Sequence, residues 1–544
     1  MTNQTVNLST FDKFQEITTD DLKIIISSMN NKHCGLDPVP TTLVKQCFPH
    51  LASIITNLIN TSFNECFVPD NLKHAQVRPN VKDRNGNLYD PNNFRPLNEL
   101  PFVSKLLEKA ACMQLNDHIE THKLHSKFQS SYRKHHSCET AMFAVTSDIQ
   151  QHINNNNTVA LILLDSSAAF DTVDHEILLD RLEKTFLIRD KAIKWIRSYL
   201  TNRTFSVIIN KTKSSPKSIK YGVPQGSLLG PLFYILYTKL LDNIIHKHGL
   251  QAHMYADDVQ IYISFKPQFT TQTEHKIKAC LSDVRKWMNN NFLKLNPNKT
   301  NFILLSSKHN LTNIPLINLN FNNCSVPPSE SVISLGVNIT NTLDYSKFIS
   351  KKVQSCSFHL KNLYHIKNSL PIDTRIILVT NIILSNLDYC NSLLIGATNK
   401  DIKPLQRVMN RSLRFIFNIK RIDHVTPYAV KAHFLPVIYR IQFKVCLMAF
   451  KIINGMSPDY LSEGLDMFQP TTAINLRWAH GRDQFMFKLP PMTHQRNLPI
   501  YNLITNWNAL PYQIRTIDKL GKFKTMLKTH LFSKAYPQFI NQNP

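Results

Sequence analysis

The segment Val159–Asp165, VALILLD, constrains the fold of this chain most tightly. An unbroken apolar segment of this length is typical of a strand that is buried on both faces, in the middle of a layered sheet. A carboxylate directly after such a strand is costly unless it is hydrated, paired or bound to a metal ion. The segment therefore predicts a central strand with Asp165 at its end, where the core meets solvent.

A second carboxylate site follows from a predicted hairpin. Two apolar segments, 252–255 and 259–265, flank the turn Ala256-Asp257-Asp258, so that two carboxylates lie at the hairpin tip. Between the two sites, helical periodicity predicts single helices over about 175–200 and 229–246.

The remaining pattern defines the fold class. Turn-forming residues predict a loop over 82–98, and beyond about residue 345 the periodicity is mainly helical. Helices mixed with short antiparallel strands predict an α+β fold. We expect an N-terminal lead over 1–30, an α+β part over 31–345 and a mainly helical part over 346–544.

Charge divides the chain in the same place. The 544 residues carry 63 Lys and Arg against 38 Asp and Glu, a formal net charge of +25. Residues 346–544 hold 27 of the basic and 9 of the acidic side chains, which leaves +18 there and +7 before it. This asymmetry favours a polyanionic partner. On charge alone, a solvated lysine-rich surface is an equally good interpretation. The ten cysteines form no CxxC pair, which is typical of a reducing compartment, and no apolar run is long enough for a membrane span.

Three carboxylates are the candidate metal ligands. Asp165, Asp257 and Asp258 would converge from neighbouring strands and repel one another unless a cation lay between them. Two Mg²⁺ ions suit such oxygen ligands and can promote phosphoryl transfer. Taken alone, Asp257-Asp258 is more often structural, because aspartate is common in hairpin turns.

These carboxylates belong to an ordered series of motifs. Asp165 lies in LLDSSAAFDTVDHEILL, the segment YGVPQGSLLGPLFY follows it, and MYADD contains Asp257 and Asp258. Upstream lie CGLDPVPTTLVKQ, NFRPLNELPFVSKLLEK and QSSYRKHHSCET, and downstream lie LDYCNSLL, LQRVMNRSLRFIF and HVTPYAVKAHFLPV. Over nearly the whole chain this series resembles the reverse transcriptase of the non-LTR retrotransposon (LINE) family, in its jockey and CR1-like branch.

The resemblance implies a right-hand polymerase fold, with fingers over about 30–160, a palm over about 160–340, and a helical thumb and basic C-terminal region after it. It implies an RNA-directed DNA polymerase, in which a primer 3′-hydroxyl attacks the α-phosphate of a deoxynucleotide. The alternative is a non-catalytic RNA-binding remnant of such an element, which the intact set of three carboxylates disfavours.

The resemblance also assigns roles to single residues. Asp165, Asp257 and Asp258 would hold two Mg²⁺ ions, for which Mn²⁺ could substitute, and the Ser166 backbone carbonyl is a further candidate ligand. Nucleotide contacts are implied for five residues: Arg95 at the triphosphate, Phe170 under the sugar, Gln225 and Gly226 beside the nucleotide or template, and Lys299 near the departing pyrophosphate. A core role for Phe170 and a solvated turn for Lys299 are the structural alternatives.

The implied partners are an RNA template, a DNA primer or nicked target DNA, and dNTPs, with no membrane. By the same resemblance, the protein would be intracellular, in a ribonucleoprotein of nucleus and cytoplasm. It would correspond to the C-terminal part of a longer polyprotein, without the endonuclease domain with which full-length members of the family begin.

Several positions depart from the family pattern. Ala168 stands where relatives usually have lysine, and Leu97-Asn98 replaces the usual isoleucine and serine. Ser131 and His135 stand where relatives usually have glycine in loops that should be tight. None of these changes removes a candidate metal ligand.

A basic stripe is the candidate nucleic-acid interface. At 100° per residue, Lys403, Arg407, Arg411 and Arg414 fall on one side of a helix, opposite an apolar face. Such a stripe can follow a phosphate backbone, and a solvated helix face is its structural alternative. The lysine-rich segment Lys519–Lys534 is similar but less regular.

Overall fold

The computed structural model describes residues 9–31, 34–83, 86–167, 170–210, 212–296, 299–314, 317, 319–321, 324–463, 465–467, 485–488 and 498–538. Ala168 lies outside the described residues, as does most of the C-terminal segment 468–497. Within the described part, no helix is long and apolar enough to cross a membrane.

The helices, in chain order, are α1 (Thr19–Ser28), α2 (Thr41–Gln46), α3 (Phe48–Asn64), α4 (Phe102–Thr121), α5 (Cys138–Asn154), α6 (His175–Phe186), α7 (Asp190–Leu200), α8 (Leu229–Tyr237), α9 (Leu240–Lys247), α10 (Thr270–Asn290), α11 (Lys308–Asn313), α12 (Ser346–His365), α13 (Ile372–Leu378), α14 (Ser385–Asp388), α15 (Asn399–Phe417), α16 (Thr426–Lys431), α17 (Val437–Ile453), α18 (Asp459–Ser462), α19 (Pro499–Asn508), α20 (Tyr512–Arg515) and α21 (Leu520–Ala535). A π-helical segment, Val379–Leu384, joins α13 to α14.

The strands are β1 (His74–Val81), β2 (Phe94–Glu99), β3 (Thr158–Leu164), β4 (Ser166–Ser167), β5 (Arg203–Ile209), β6 (Thr212–Lys213), β7 (Lys217–Ile219), β8 (Gln251–Tyr255), β9 (Asp258–Phe265), β10 (Lys294–Leu295), β11 (Asn301–Leu305), β12 (Leu319–Phe321), β13 (Cys324–Val326), β14 (Ser331–Ser334) and β15 (Val337–Thr340). The prediction of helices mixed with antiparallel strands is confirmed.

A four-stranded antiparallel sheet, in the order β11-β3-β9-β8, lies at the centre of the molecule. Every residue of β3 is buried, as the sequence predicts for a strand covered on both faces. Because alternate side chains point to opposite faces, β3 contributes to two separate cores. Ala160, Ile162 and Leu164 belong to one core, and Val159, Leu161 and Leu163 belong to the other.

The two cores divide the chain unequally. The first is built from the N-terminal helices and from α6 to α10, between Phe14 and Leu319. The second joins α5 and one face of the central sheet to the C-terminal helices, between Met142 and Tyr536. The C-terminal helices therefore cover one face of the central sheet.

A second sheet lies near the N-terminus, and it corrects the predicted loop over 82–98. Within that segment, Phe94–Glu99 forms β2 and pairs with β1, with Pro96 opposite Pro79. Because proline cannot donate to a ladder, β2 suits the edge position that it occupies. In the same sheet β5 pairs in parallel with β1.

Two predicted helices are each divided. The helix predicted over 175–200 becomes α6 and α7, because Leu187 takes a left-handed backbone conformation, with φ of 56°, and ends α6. The helix predicted over 229–246 becomes α8 and α9, with a break at Thr238 and Lys239. Apolar residues lie on both sides of each break, so periodicity alone did not reveal them.

Candidate functional site

Strand pairing brings the predicted carboxylates to one end of the central sheet. Leu164 of β3 pairs with Val259 of β9. Asp165 follows Leu164 and Asp258 precedes Val259, so both aspartates lie at the same end of the sheet. Tyr255 pairs with Asp258 across the tight turn of the β8–β9 hairpin, which places Asp257 at the tip. The predicted hairpin is thus present.

The turn itself depends on contacts from outside the hairpin. Ala256 has φ of 56°, a left-handed conformation that residues other than glycine rarely adopt. Its backbone N–H donates to Ser131 Oγ at 2.7 Å and to Gln129 Oε1 at 3.2 Å. These bonds fix the position of the turn that carries the two carboxylates.

The three carboxylates interact electrostatically. Burial, and then the charges of Asp257 and Asp165, raise the pKa of Asp258 to about 6. Burial and the charge of Asp165 also raise the pKa of Asp257, against the opposing charges of Lys299 and Arg95. Their ionised forms therefore need a nearby positive charge.

Lys299 supplies positive charge to this group. Its Nζ lies 3.2 Å from Asp165 Oδ2, and both side chains remain partly accessible. A cavity of about 340 Å³ adjoins this pair, lined by Asp165, Asp258 and Lys299 and, across from them, by Ile333 and Leu335. The resemblance implied a role for Lys299 near the departing pyrophosphate, and the ion pair with Asp165 is the contact that the structure adds.

The chemistry of this donor set fits a hard divalent cation, since it offers carboxylate oxygens whose mutual repulsion such an ion would relieve. As they stand, no three Asp, Glu, His or Cys side chains among the described residues are close enough to coordinate an ion. Ser166 is buried beside Asp165 and pairs with Leu295.

Phe170 packs against the first core at its margin, next to a tyrosine that lies near the carboxylates. It is half-buried and stacks on Tyr234, with ring centroids 4.9 Å apart. Its carbonyl accepts a bond from Val223 N at 2.8 Å. Burial and the charge of Asp257 raise the pKa of Tyr234, which places that ring close to the carboxylates.

The loop before α8 is clamped on two sides. Gln225 Nε2 donates to both carboxylate oxygens of Asp171, at 3.1 and 3.0 Å, and the Gln225 carbonyl accepts from Asn98 N at 2.9 Å. Gly226 has φ of 111°, and a Cβ there would lie 2.6 Å from the Asn98 carbonyl oxygen. Glycine is therefore required at 226 by the close approach of β2.

Arg95 lies on β2, the strand that was predicted to be a loop. Its side chain is exposed, and its charge lowers the pKa of Asp257. Arg95 thus faces the carboxylate group from the second sheet.

Sequence reasoning missed Glu108, which is 1% exposed on α4. Its carboxylate accepts from Leu228 N at 2.6 Å and from the Tyr199 hydroxyl at 2.9 Å. Leu228 precedes α8 directly, so Glu108 fixes the end of the Gln225-Gly226 loop. The signal was available, since an acidic residue on the apolar side of a helix is rare unless it is paired.

The wall of the cavity also has a support that the sequence did not reveal. The turn of the β14–β15 hairpin contains Leu335 and Gly336, both in left-handed conformations. The Tyr389 hydroxyl donates to the Leu335 carbonyl at 2.6 Å. If residue 336 carried a Cβ, that atom would lie 3.4 Å from the ring of Tyr389. The C-terminal part thus contacts the site directly.

The basic stripe is present in part. Lys403, Arg407 and Arg411 are exposed on α15. Arg414 is half-buried and donates to the backbone carbonyls of Arg421 and Asp423. Arg414 is therefore occupied by a structural contact, and three of the four cations remain on the exposed face.

Comparison with known proteins gives a consistent result. Residues 81–339 match the family described as reverse transcriptase (RNA-dependent DNA polymerase). The chain is 27% identical over 278 residues to a probable RNA-directed DNA polymerase from transposon BS of Drosophila melanogaster, covering 49% of this chain and 30% of that protein. It is 23% identical over 408 residues to the probable RNA-directed DNA polymerase from transposon X-element of the same species, covering 72% and 43%.

A further relative is the RNA-directed DNA polymerase from mobile element jockey of Drosophila funebris. The identity is 22% over 409 residues, covering 74% of this chain and 44% of that protein. The chain thus spans less than half the length of each of these three relatives.

Proposed function

Residues 81–339 form a reverse transcriptase domain of the non-LTR retrotransposon type, and we propose that this chain is an RNA-directed DNA polymerase. It would extend a primer 3′-hydroxyl with dNTPs along an RNA template, the primer being DNA or a nicked target. The observation that carries the proposal is the pairing of β3 with β9, which brings Asp165 and Asp258 together beside Asp257 and an open cavity.

The parts of the molecule take the following roles in this proposal. The sheet that contains Arg95 and the helices around it form the fingers, and the central sheet forms the palm. The helices from α12 onward form the thumb and the C-terminal region. Packing of these helices on the central sheet supports their assignment to the polymerase itself.

Asp165, Asp257 and Asp258 would hold two Mg²⁺ ions, or Mn²⁺ in their place, with the Ser166 carbonyl as a further ligand. When bound, such ions activate the attacking hydroxyl and stabilise the leaving oxygen. Burial and the charges of the neighbouring carboxylates raise the pKa of Asp258, and a bound divalent cation would favour its ionised form.

The other residues bind and orient the nucleotide. Arg95 would contact the triphosphate, for which a planar guanidinium is well suited. Phe170, held against Tyr234, would lie under the sugar and exclude a 2′-hydroxyl by contact. Gln225 and Gly226 would border the base or template, and Lys299 would neutralise the departing pyrophosphate. Catalysis in this scheme comes from positioning and charge stabilisation.

A primer-extension assay on an RNA template tests the proposal. The double variant Asp257→Ala with Asp258→Ala is expected to abolish extension in Mg²⁺ and in Mn²⁺. The matched control is Asp373→Ala with Asp518→Ala, which removes two exposed carboxylates and should leave extension unchanged. Extension that survives in the first variant would overturn the proposal. Tight RNA binding without extension by the unmodified protein would instead support a non-catalytic remnant.

A further inference from the structure

Five cations meet where helices α17 and α21 pack together, outside the carboxylate group. Arg440, Lys444 and Lys451 lie on one side of α17, because steps of four and seven residues return nearly to the same side of a helix. Lys524 and Lys528 are one turn apart on the exposed side of α21. We name these five side chains the cationic face.

The cationic face borders a cleft. A cavity of about 230 Å³ is lined by Arg440, Lys444 and Lys528, together with the half-buried ring of Phe443. Asp388 contributes the one carboxylate of this lining, and it pairs with Arg440. Cations from both helices therefore point toward a shared space.

The described residues balance the charges of the cationic face only in part. Lys444 Nζ pairs with Glu139 Oε2 at 2.7 Å, and Arg440 pairs with Asp388. Lys451, Lys524 and Lys528 have no carboxylate within 4.0 Å among the residues that the structure describes. Burial, followed by the charges of Lys524 and Lys444, lowers the pKa of Lys451. Burial and the charge of Arg440 likewise lower the pKa of Lys528.

The cationic face is connected to the carboxylates through the start of α5. Glu139, the partner of Lys444, follows Cys138 at that helix start. Helix α5 contacts β8, and Tyr255 is the last residue of β8 before the carboxylate turn. A short path along α5 thus joins the cationic face to the hairpin tip.

An exposed aromatic ring lies close to the carboxylate turn. Tyr132 is 53% exposed and has φ of 56°, a backbone conformation that a bulky residue rarely adopts. The neighbouring Ser131 accepts from Ala256 N, which fixes Tyr132 close to the turn. Lys134 lies two residues after Tyr132. Burial, followed by the charges of Lys134 and Lys451, lowers the pKa of His135.

We propose that the cationic face binds the phosphate backbone of a single-stranded RNA, and that this strand is the template outside the carboxylate site. Arg440 and Lys451 are eleven residues apart, which is about 16 Å along a helix and spans several phosphates. Proteins that bind single-stranded nucleic acid combine cations placed along the phosphate backbone with aromatic rings on which the bases stack. Only the identity of the strand as template rests on the function proposed above.

The test is fluorescence anisotropy with a labelled single-stranded RNA of about 20 nucleotides, longer than most single-strand sites. The variant combines Lys451→Gln, Lys524→Gln and Lys528→Gln in the full chain. Each cation lost should reduce the slope of log affinity against log salt by about 0.7, so the triple variant should lose about 2. The matched control, Lys23→Gln with Lys191→Gln and Lys194→Gln, removes three exposed lysines on other helices and should retain the slope.

An unchanged slope in the triple variant would overturn the proposal. The second arm of the test uses an RNA–DNA duplex of the same length. A reduction in slope with the duplex as large as that with the single strand would overturn the single-strand assignment. If the triple variant melts early, the pair Lys524→Gln and Lys528→Gln, both exposed, should still lose a slope of about 1.4. The Asp257→Ala, Asp258→Ala protein should keep the full slope, so that a failure of polymerase activity and a failure of this proposal remain distinct.

Discussion

The Tyr389 hydroxyl donates a 2.6 Å hydrogen bond to the backbone carbonyl of Leu335, which lines the cavity beside Asp165 and Asp258. Tyr389 follows α14 in the C-terminal part, and Leu335 lies in the turn of the β14–β15 hairpin. A residue of the basic helical region thereby determines where one wall of the candidate active site lies.

Loss of this bond should weaken substrate placement without unfolding the protein. A net hydrogen bond contributes about 1 kcal/mol, so Tyr389→Phe should raise the KM for primer–template about fivefold, with little change in melting temperature. Steady-state primer extension measures this. Tyr237→Phe is the control, because it removes a similar hydroxyl-to-carbonyl bond, to Asn291, outside the lining of the cavity and the cationic face. An equal rise in KM in both variants would contradict the role assigned to Tyr389.

Glu108→Met should destabilise the fold by about 2 kcal/mol. The glutamate accepts two buried hydrogen bonds, whereas the methionine side chain offers no oxygen acceptor and leaves Leu228 N and the Tyr199 hydroxyl without this partner. Urea unfolding measures the change. Tyr199→Phe, which removes one partner and leaves the Leu228 bond, should cost less. A Glu108→Met protein as stable as the parent would show that the carboxylate is not needed at the start of α8.

His135→Gly should stabilise the protein by about 1 kcal/mol. His135 has φ of 67°, the left-handed conformation in which glycine avoids the clash of a Cβ with its own backbone. The neighbouring substitution Lys134→Gly is the control and should destabilise, since Lys134 does not have a positive φ and glycine adds freedom to the unfolded chain. Thermal unfolding compares the two. A lower melting temperature for His135→Gly would contradict the prediction.

Stability should fall between about pH 6.5 and pH 3 through His253. This imidazole is buried beside Ser130, and burial lowers its pKa to about 3. Below the ordinary histidine pKa, the unfolded chain therefore binds a proton at this imidazole that the folded protein does not bind. The contribution of His253 to stability is complete above that pKa and decreases as the pH falls below it. Urea midpoints measured across this range should decline less steeply for His253→Gln. Identical slopes for the two proteins would contradict the prediction.

The carboxylate site was predictable because its signals are local. An apolar strand closed by Asp165, and a hairpin with Asp257 and Asp258 at its turn, follow from patterns that span only a few residues. Convergence of the two elements then needed only that β3 and β9 be neighbours in one sheet.

Features that depend on distant contacts were not predictable in this way. The segment before Glu99 is rich in turn formers, yet pairing with β1 makes part of it a strand. Arg414 has the spacing of a surface cation, but carbonyls of the following turn occupy it. Leu187 ends a helix within an apolar run, because its left-handed conformation is set by tertiary packing rather than by its type.

The shared burial of β3 has a genetic consequence. Since Val159, Leu161 and Leu163 pack into a core that extends to Tyr536, a premature stop codon late in the reading frame would expose the back of the strand that carries Asp165. A frameshift downstream of the three carboxylates would therefore be expected to disturb the strand that leads to Asp165 as well. Selection for the proposed polymerase activity should preserve the reading frame at least as far as Tyr536.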